Sequence, residues 1–258
     1  MGLFRYSSNP VTHLSGFNVL LTCVTSRYLP NLRHIARLCE VDVAVLLDLA
    51  PLPHRNRNCF TTRNKIHQRS TGTDHWLTVP VLRHGRQEPL YQVSIDPTNH
   101  RWPRKHLEKL RHAYPKADKL APGFLDQLGE ILYSERQASL LELNLATLRL
   151  LLEVLNQSHN APILQSSLMT RHDKNHRLDI ALAVGAHTYL MGAVESQIIT
   201  LSGMDQAFTE AGIALKQTFQ VPSHLQSSIT TYSSVDMILS KGILFARDTL
   251  SEILSMQM

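Results

Sequence analysis

The sequence predicts an α/β fold, a single mixed α/β domain over residues 1–258 with an N-terminal βαβ unit and a helical insertion at about 101–157. Short apolar, β-branched runs alternate with segments whose apolar residues recur at helical spacing. Hydrophobic residues make up 43% of the 258 residues, enough to bury a full core without disulfide bonds. The chain has no internal repeat and no linker rich in Gly, Ser and Pro, so no domain boundary is predicted.

The first three predicted elements form the βαβ unit. Phe17 to Thr25 is apolar and β-branched enough for a strand, Asn31 to Glu40 has helical periodicity, and Asp42 to Leu49 is a second strand. The crossover is expected to be right-handed, with any ligand beyond the carboxyl ends of the strands. Cys23 to Arg27 and Asp48 are therefore expected at that edge of the sheet.

The middle of the chain is predicted to begin with an antiparallel hairpin and then to become helical. Strands at His75 to Leu82 and Leu90 to Ile95 flank the turn-rich Arg83 to Arg86. Three helices follow: one starting near Pro103, one from Pro122 to Leu132, and a strongly apolar one from Leu140 to Asn156.

The remaining third of the chain alternates again between strand and helix patterns. The predicted order is a strand at Ile163 to Leu168, a helix at Arg177 to Gly185, a strand at Tyr189 to Gly192, a helix at Met204 to Ala211, a strand at Ile213 to Gln220 and a terminal helix at Ser234 to Leu254. Gly185 is expected at a helix end, where a left-handed residue is favourable.

The composition is that of a soluble globular protein, which we expect in the cytoplasm. The most apolar segment, Leu140 to Leu155, contains charged and polar residues and cannot be a membrane-spanning helix of about 20 apolar residues. Neither a disulfide framework nor a structural zinc site is predicted, because the three cysteines are an odd number without a CxxC pair. Cys23 is either a nucleophile or, as is more common, a small buried hydrophobe.

Positive charge is concentrated in two segments of this mildly basic chain, whose pI is about 9.2. His54 to Arg69 carries five Arg and Lys residues and no acid, and Arg101 to Lys119 carries seven against two acids. The first segment favours an anionic, phosphate-bearing partner or is a solvated loop. The second is best explained as a solvated helix face.

We predict a polar site built around Asp48, Arg63 and Asn64. Asp48 would orient a cationic or hydroxyl group, act as a catalytic base if burial raises its pKa, or cap the following turn. Arg63 would bind a phosphate or carboxylate, or tie its loop to backbone carbonyls, and Asn64 would fix Arg63 or bind the acceptor. Trp76 would stack on a ring of the substrate or pack in the core.

No cofactor and no metal are predicted. The Gly-x-Gly-x-x-Gly pattern of dinucleotide-binding proteins is absent, and His172 and His176, although four residues apart, lie in a loop-like stretch. Ser166 and Ser167 lack a Gly-x-Ser-x-Gly elbow, so a serine nucleophile is not favoured.

The order of several short motifs resembles the WbqC-like family of bacterial proteins over about Asn18 to Leu254. The motifs are Tyr28-Leu29-Pro30, Asp48, Arg63-Asn64-Lys65-Ile66, Trp76-Leu77-Thr78-Val79-Pro80-Val81, Trp102, His106, Tyr114, Ser166-Ser167, Tyr189-Leu190-x-Gly192, Ala211-Gly212-Ile213 and Ser234-Val235-Asp236-Met237-Ile238-Leu239-x-x-Gly242. The resemblance implies bacterial O-antigen, lipopolysaccharide or specialised-metabolite biosynthesis. It implies transfer of an acyl, aminoacyl or sugar-linked group onto an amine, and it suggests Ser166 and Tyr189 as further substrate-binding residues.

The chain departs from the family pattern at the strand ends. Val24, Thr25 and Ser26 stand where typical members have His-Gln-Pro, so a proton-shuttling histidine is missing there. Three hypotheses therefore stay open: a transferase with a phosphate-bearing or carrier-linked substrate, a catalytically degenerate subunit that supports a partner protein, and a nucleic-acid binder that takes aminoacyl-tRNA.

Overall fold

A computed structural model describes residues 18–52, 59–83, 85–134, 138–168, 176–218, 226 and 229–256. Its main sheet has five strands in the order β5-β2-β1-β6-β7, and every adjacent pair is parallel. These strands are β1 (Leu20–Val24), β2 (Val43–Leu46), β5 (Ile163–Leu164), β6 (Thr188–Met191) and β7 (Ala214–Gln217). The α/β prediction is confirmed, and so is the opening βαβ unit.

Ten α-helices are found within the described ranges. They are α1 (Leu32–Cys39), α2 (Trp102–Ala113), α3 (Ala117–Leu120), α4 (Phe124–Leu132), α5 (Leu140–Val154), α6 (His176–Ala183), α7 (Ala193–Leu201), α8 (Met204–Glu210), α9 (Ser234–Lys241) and α10 (Ile243–Ser255). The helical middle of the chain, α2 to α5, agrees with the predicted insertion. None of the helices that the structure describes is long and apolar enough to cross a membrane.

Side chains of the central strands alternate between two hydrophobic cores on opposite faces of the sheet. Ala44 and Leu46 of β2 belong to the larger core, whereas Val45 and the adjoining Leu47 belong to the smaller one. The larger core is completed by α1 to α5, α9 and α10, and the smaller by α6, α7 and α8. Burial on both faces follows from the period of two along a strand and explains why these strands are almost wholly apolar.

Helix α1 begins where a polar side chain caps it. The Asn31 side chain accepts a hydrogen bond from the His34 N–H at 3.0 Å, which satisfies one of the free donors of the first turn. Leu32, Ile35 and Leu38 are buried on one face of the helix. Because α1 connects β1 to β2, its first turns start at the edge where those strands end.

The predicted hairpin between His75 to Leu82 and Leu90 to Ile95 is wrong. The antiparallel pair is instead β3 (Arg63–Gln68) with β4 (Thr73–Thr78), and it reverses near Gly72, whose φ of 67° suits a residue without Cβ. Pro80 cannot donate to a sheet ladder, and within the described residues the two predicted strands share a single bridge, between Val81 and Ile95. The β3 strand was not predicted, because two of its buried residues, Asn64 and Gln68, are polar and interrupt the apolar alternation of a strand.

Two other predictions need correction near the carboxyl terminus of the chain. The terminal helix is not continuous, because Gly242 has a φ of 100° and separates α9 from α10. Residues 193–201, for which no helix was predicted, form α7. The expected left-handed Gly185 at the end of α6 is confirmed by its φ of 64°.

Candidate functional site

The carboxyl ends of β1 and β6 border a cavity of about 400 Å³, which we call the edge cavity. These strands pair only at Leu20 with Thr188 and Leu21 with Tyr189, whereas β1 pairs with β2 as far as Val24. The strand order reverses here, because β2 and β5 lie on one side of β1 and β6 and β7 on the other. Open α/β sheets bind their ligands at such a point.

The charged residues that line the edge cavity are Arg27, Arg33, Arg37, Arg177 and Glu195. Four guanidinium groups face one carboxylate, so the lining carries a net charge of +3. Guanidinium groups bind carboxylate and phosphate oxygens through paired N–H donors. The charge of the edge cavity therefore suits an anionic ligand, and the anionic partner stays a prediction.

Arg37 fills the space where β1 and β6 diverge. Its Nη2 donates to the carbonyl oxygens of Cys23 at 3.2 Å and Leu190 at 2.9 Å, and its Nε donates to the Thr22 hydroxyl at 2.7 Å. The guanidinium thus replaces strand-to-strand hydrogen bonds with side-chain donors. An added Cβ on Gly192 would lie 2.8 Å from Arg37 Nη1, so the glycine lets the guanidinium approach the backbone.

Glu195 holds two of the arginines in place. Its carboxylate lies 2.5 Å from Arg37 Nη2 and 2.7 Å from Arg177 Nε, and it accepts a hydrogen bond from the Tyr189 hydroxyl at 2.6 Å. Burial by itself raises the pKa of the Glu195 carboxyl, but the guanidiniums and the Tyr189 hydroxyl outweigh burial, so the pKa is lowered. Glu195 also accepts from the Gly192 N–H at 3.2 Å, which caps α7.

Arg27 and Arg33 are the arginines of the edge cavity that remain available to a ligand. Neither forms an ion pair with a carboxylate among the residues that the structure describes. Burial, followed by the neighbouring Arg37 and Arg33, lowers the pKa of Arg27 to about 10, which leaves it a cation at neutral pH. Both side chains are half-buried, so their positive charge is only partly screened by water.

His34 places an imidazole in the same cavity. Burial, and then the charges of Arg27 and Arg37, hold the pKa of His34 well below its usual value. The ring is therefore neutral at physiological pH and has a free electron pair for a proton. It lies among cations whose charge an anionic ligand would offset.

Cys23 lines the edge cavity as a protonated thiol. Burial, the largest influence, raises its pKa to about 12. Because the thiolate is the reactive form, the interpretation of Cys23 as a small buried residue fits the structure better than the nucleophile.

Asp48 and Ser166, both predicted site residues, are brought together. Asp48 is 1% exposed, and its Oδ1 accepts a hydrogen bond from the Ser166 N–H at 3.0 Å. This bond fastens the end of β2 to the 3₁₀ turn after β5. The Asp48 carboxylate is not part of the lining of the edge cavity, and its catalytic role stays a prediction.

Arg63 and Trp76 also lie together, on the hairpin β3-β4. The Arg63 Cζ is 3.7 Å from the centre of the Trp76 ring, a close cation–π contact. Arg63 does not line the edge cavity either, so the expected convergence of Asp48 and Arg63 is not seen there. Substrate binding by Arg63 and Trp76 stays a prediction.

Asn64 and Tyr189 have partners within the fold. Asn64 is 2% exposed, and its Nδ2 donates to the carbonyl of Leu29 at 2.7 Å, where Leu29 has a left-handed φ of 45°. This hydrogen bond supports an unfavourable backbone conformation in the loop that leads to α1. Tyr189 is fully buried and contributes to the site through Glu195.

Sequence reasoning missed most of the charged lining. Arg33 and Arg37 are four residues apart on α1, and this spacing after the first strand of a βαβ unit was the available signal. Of the two predicted basic segments, the part that contains Arg55 and Arg57 is outside the described residues, and α2 carries exposed Arg and Lys as expected of a solvated helix. Across the ranges described, no group of three or more His, Cys, Asp or Glu is placed to hold a metal.

Comparison with known proteins agrees with the motif order. The sequence model of the WbqC-like protein family matches residues 25–243, which include α1, the hairpin β3-β4 and the strand β6 that borders the edge cavity. No curated protein and no solved structure matches the chain. Since the match covers most of the sequence, the chain belongs to the WbqC-like protein family.

Proposed function

We propose that the protein is a cytoplasmic transferase of bacterial O-antigen, lipopolysaccharide or specialised-metabolite biosynthesis. It moves an acyl, aminoacyl or sugar-linked group from a phosphate-bearing or carrier-linked donor onto an amine. The observation that carries the proposal is the arginine lining of the edge cavity, at the point of the sheet where α/β proteins bind ligands.

Anion binding is the first step that the site supports. Arg27 and Arg33 line the same cavity as the Glu195 network and are not paired with a carboxylate of the described residues. A phosphate would receive their N–H donors and would offset the net charge of the lining. The ion pairs of Arg37 and Arg177 with Glu195 keep the other half of the cavity in a fixed arrangement.

His34 is the group best placed to accept a proton from the amine. For acyl transfer, the amine nitrogen bonds to the carbonyl carbon, the bond from that carbon to the donor's oxygen or sulfur breaks, and the leaving group keeps the electron pair. An imidazole nitrogen of His34 takes the amine proton. Bound phosphate would raise the pKa of His34 by offsetting the nearby guanidiniums, and so would make it a better base.

His34 can take the place of the histidine that the family pattern has at the end of β1. The resemblance assigns a histidine to the position of Val24, at the end of β1, and Val24 and His34 both line the edge cavity. A histidine one element further along the chain therefore reaches the same space. This favours retained catalysis over a degenerate subunit.

The proposal is tested by incubating the purified protein with an amino sugar and a set of donors. The donors are an acyl phosphate, an acyl thioester of a phosphopantetheine carrier, an aminoacyl-tRNA and a sugar nucleotide, and mass spectrometry detects the N-linked product. We expect product with at least one donor, a KM for it raised about tenfold by Arg33→Gln, and a kcat lowered about 100-fold by His34→Asn.

The matched control is Arg83→Gln, since Arg83 is exposed and lies outside the edge cavity. This variant should have the same KM and kcat as the wild type. Donor binding without any product would reject the transferase and support the degenerate subunit. An equal increase in KM in Arg33→Gln and Arg83→Gln would reject the assignment of the edge cavity as the donor site.

Nucleic-acid binding is the second candidate, and contacts between cations of the hairpin and aromatic rings favour it. Arg63 lies over Trp76, and the Lys65 Nζ is 5.2 Å from the centre of the Tyr232 ring. Such cations and rings offer stacking and phosphate contacts to single-stranded nucleic acid. Binding of tRNA that weakens steeply with salt, and that Trp76→Ala abolishes, would support this candidate, and salt-independent binding would reject it.

A further inference from the structure

A second, smaller cavity of about 170 Å³ adjoins the edge cavity, and we call it the side cavity. Seven of its eleven lining residues are apolar: Leu47, Ala50, Pro51, Leu52, Cys59 and Leu90, with Phe60 as the aromatic member. The remaining four are Thr25, Ser26, Arg27 and Thr61. The side cavity therefore has one charged lining residue, Arg27, whereas the edge cavity has five.

The two cavities share part of their lining. Thr25, Arg27 and Leu47 line both, so a single ligand can reach from one into the other. The guanidinium of Arg27 stands at this junction, with its Cζ 5.5 Å from the centre of the Phe60 ring. Arg27 can thus face an anion on one side while its flat guanidinium lies beside an apolar group on the other.

The walls of the side cavity are held by hydrogen bonds within the protein. Asn144 of α5 is 2% exposed, and its Nδ2 donates to the Ser26 hydroxyl and to the Thr61 carbonyl, each at 2.9 Å. On the opposite wall, the Leu90 N–H donates to the Ala50 carbonyl at 3.1 Å. A cavity with fixed walls selects ligands by size, because its lining cannot collapse around a smaller group.

We infer that the side cavity receives a compact apolar group of the same ligand whose anionic group occupies the edge cavity. An apolar protein cavity of about 150 Å³ accepts benzene, so the group is about as large as a benzene ring or a short acyl chain. This inference rests on the proposed function and deepens it, since it identifies the donor as a phosphate-bearing molecule with a small apolar substituent.

The test compares the binding of inorganic phosphate with that of phenyl, benzyl and 2-phenylethyl phosphate by isothermal titration calorimetry. These ligands differ in the number of CH₂ groups between the ring and the phosphate, because the ring must reach past Arg27 to enter the side cavity. We expect at least one aryl phosphate to bind about tenfold or more tightly than inorganic phosphate, and 2-naphthyl phosphate to lose that gain because its second ring exceeds the cavity.

Ala50→Phe should fill the side cavity. Aryl phosphates should then bind no more tightly than inorganic phosphate, whose own affinity should stay unchanged. Ala50→Val, a smaller change at the same half-buried position, should reduce the gain and keeps the test valid if the larger variant does not fold. The control is Ala211→Phe at an exposed site after α8, which should keep the full gain.

The results separate the two proposals. Inorganic phosphate that binds while no aryl phosphate binds more tightly would overturn the inference about the side cavity alone. An aryl gain that survives Ala50→Phe would overturn it as well. Failure of inorganic phosphate and all aryl phosphates to bind would instead count against the proposed function.

Discussion

The carboxylate of Glu195 pairs with the guanidinium of Arg37 at 2.5 Å, across 158 residues of sequence. Their side chains are 12% and 16% exposed, so the pair is mostly shielded from water. Arg37 belongs to the first helix of the βαβ unit and Glu195 to the helix after β6, and their contact closes the gap between β1 and β6. The pair is thus part of the fold and part of the wall of the edge cavity.

Glu195→Gln should destabilise the protein and increase the stabilisation that it gains from bound anions. The substitution leaves two shielded guanidiniums without their counter-charge, a loss of about 3 kcal/mol in the free energy of unfolding. Bound phosphate would supply the missing negative charge. Chemical denaturation with and without phosphate should therefore show greater stabilisation of the variant than of the wild type.

The control for this prediction is Glu108→Gln, which breaks the exposed pair of Arg104 and Glu108 on α2. Exposed pairs four residues apart on a helix contribute well under about 1 kcal/mol. Similar losses in both variants would contradict a special role for Glu195.

Stability should fall as the pH is lowered below about 6.5, the usual pKa of histidine, because a buried histidine is neutral in the fold. Burial, and then the charge of Lys109, lower the pKa of His106 to about 3. Between these two values the unfolded chain binds a proton that the folded chain does not. His106 alone should therefore lower the free energy of unfolding by about 2 kcal/mol between pH 7 and pH 5.

The measurement is chemical denaturation of the wild type and His106→Gln at pH 7 and pH 5. Glutamine can keep a hydrogen bond to the Tyr28 hydroxyl, which His106 Nδ1 contacts at 3.0 Å, but it does not titrate. The variant should lose less stability on acidification than the wild type. An identical pH dependence would show that His106 is not the group responsible.

Asp48→Asn should preserve the fold, because the amide oxygen of asparagine can still accept the Ser166 N–H. Asp48→Ala removes the acceptor and should lower the free energy of unfolding by about 1 to 3 kcal/mol. Turnover measured on the well-folded Asn variant then tests the predicted catalytic role: a base needs the carboxylate, so a catalytic Asp48 predicts a loss of kcat. Full activity of Asp48→Asn would leave Asp48 a purely structural acceptor.

Gly242→Ala should destabilise the junction of α9 and α10 by about 2 kcal/mol. Gly242 has a φ of 100°, and an added Cβ would lie 3.2 Å from the carbonyl oxygen of Leu120. The matched control is Gly129→Ala inside α4, where the nearest atom is the flexible Leu107 Cδ1 at 3.4 Å and alanine favours the helix. Thermal denaturation should show a lower Tm for the first variant only.

Local sequence patterns determine much of the architecture. The βαβ unit, the helices α2, α4 and α5 and the strand β6 were predicted because each buries a regular set of apolar side chains, whose period reports the element directly. The expectation that Cys23, Thr25 and Arg27 lie at the carboxyl edge is confirmed, since strand direction in a βαβ unit follows from the chain itself.

Only the tertiary structure decided what that edge contains. Glu195 reaches Arg37 because β6 inserts beside β1, and no local period reveals which distant strands become neighbours. The burial of the polar Asn64 in β3 likewise depends on a distant partner, the Leu29 carbonyl that accepts its hydrogen bond. Sequence patterns report burial along a single element, whereas the charge of a cavity depends on long-range contacts between several.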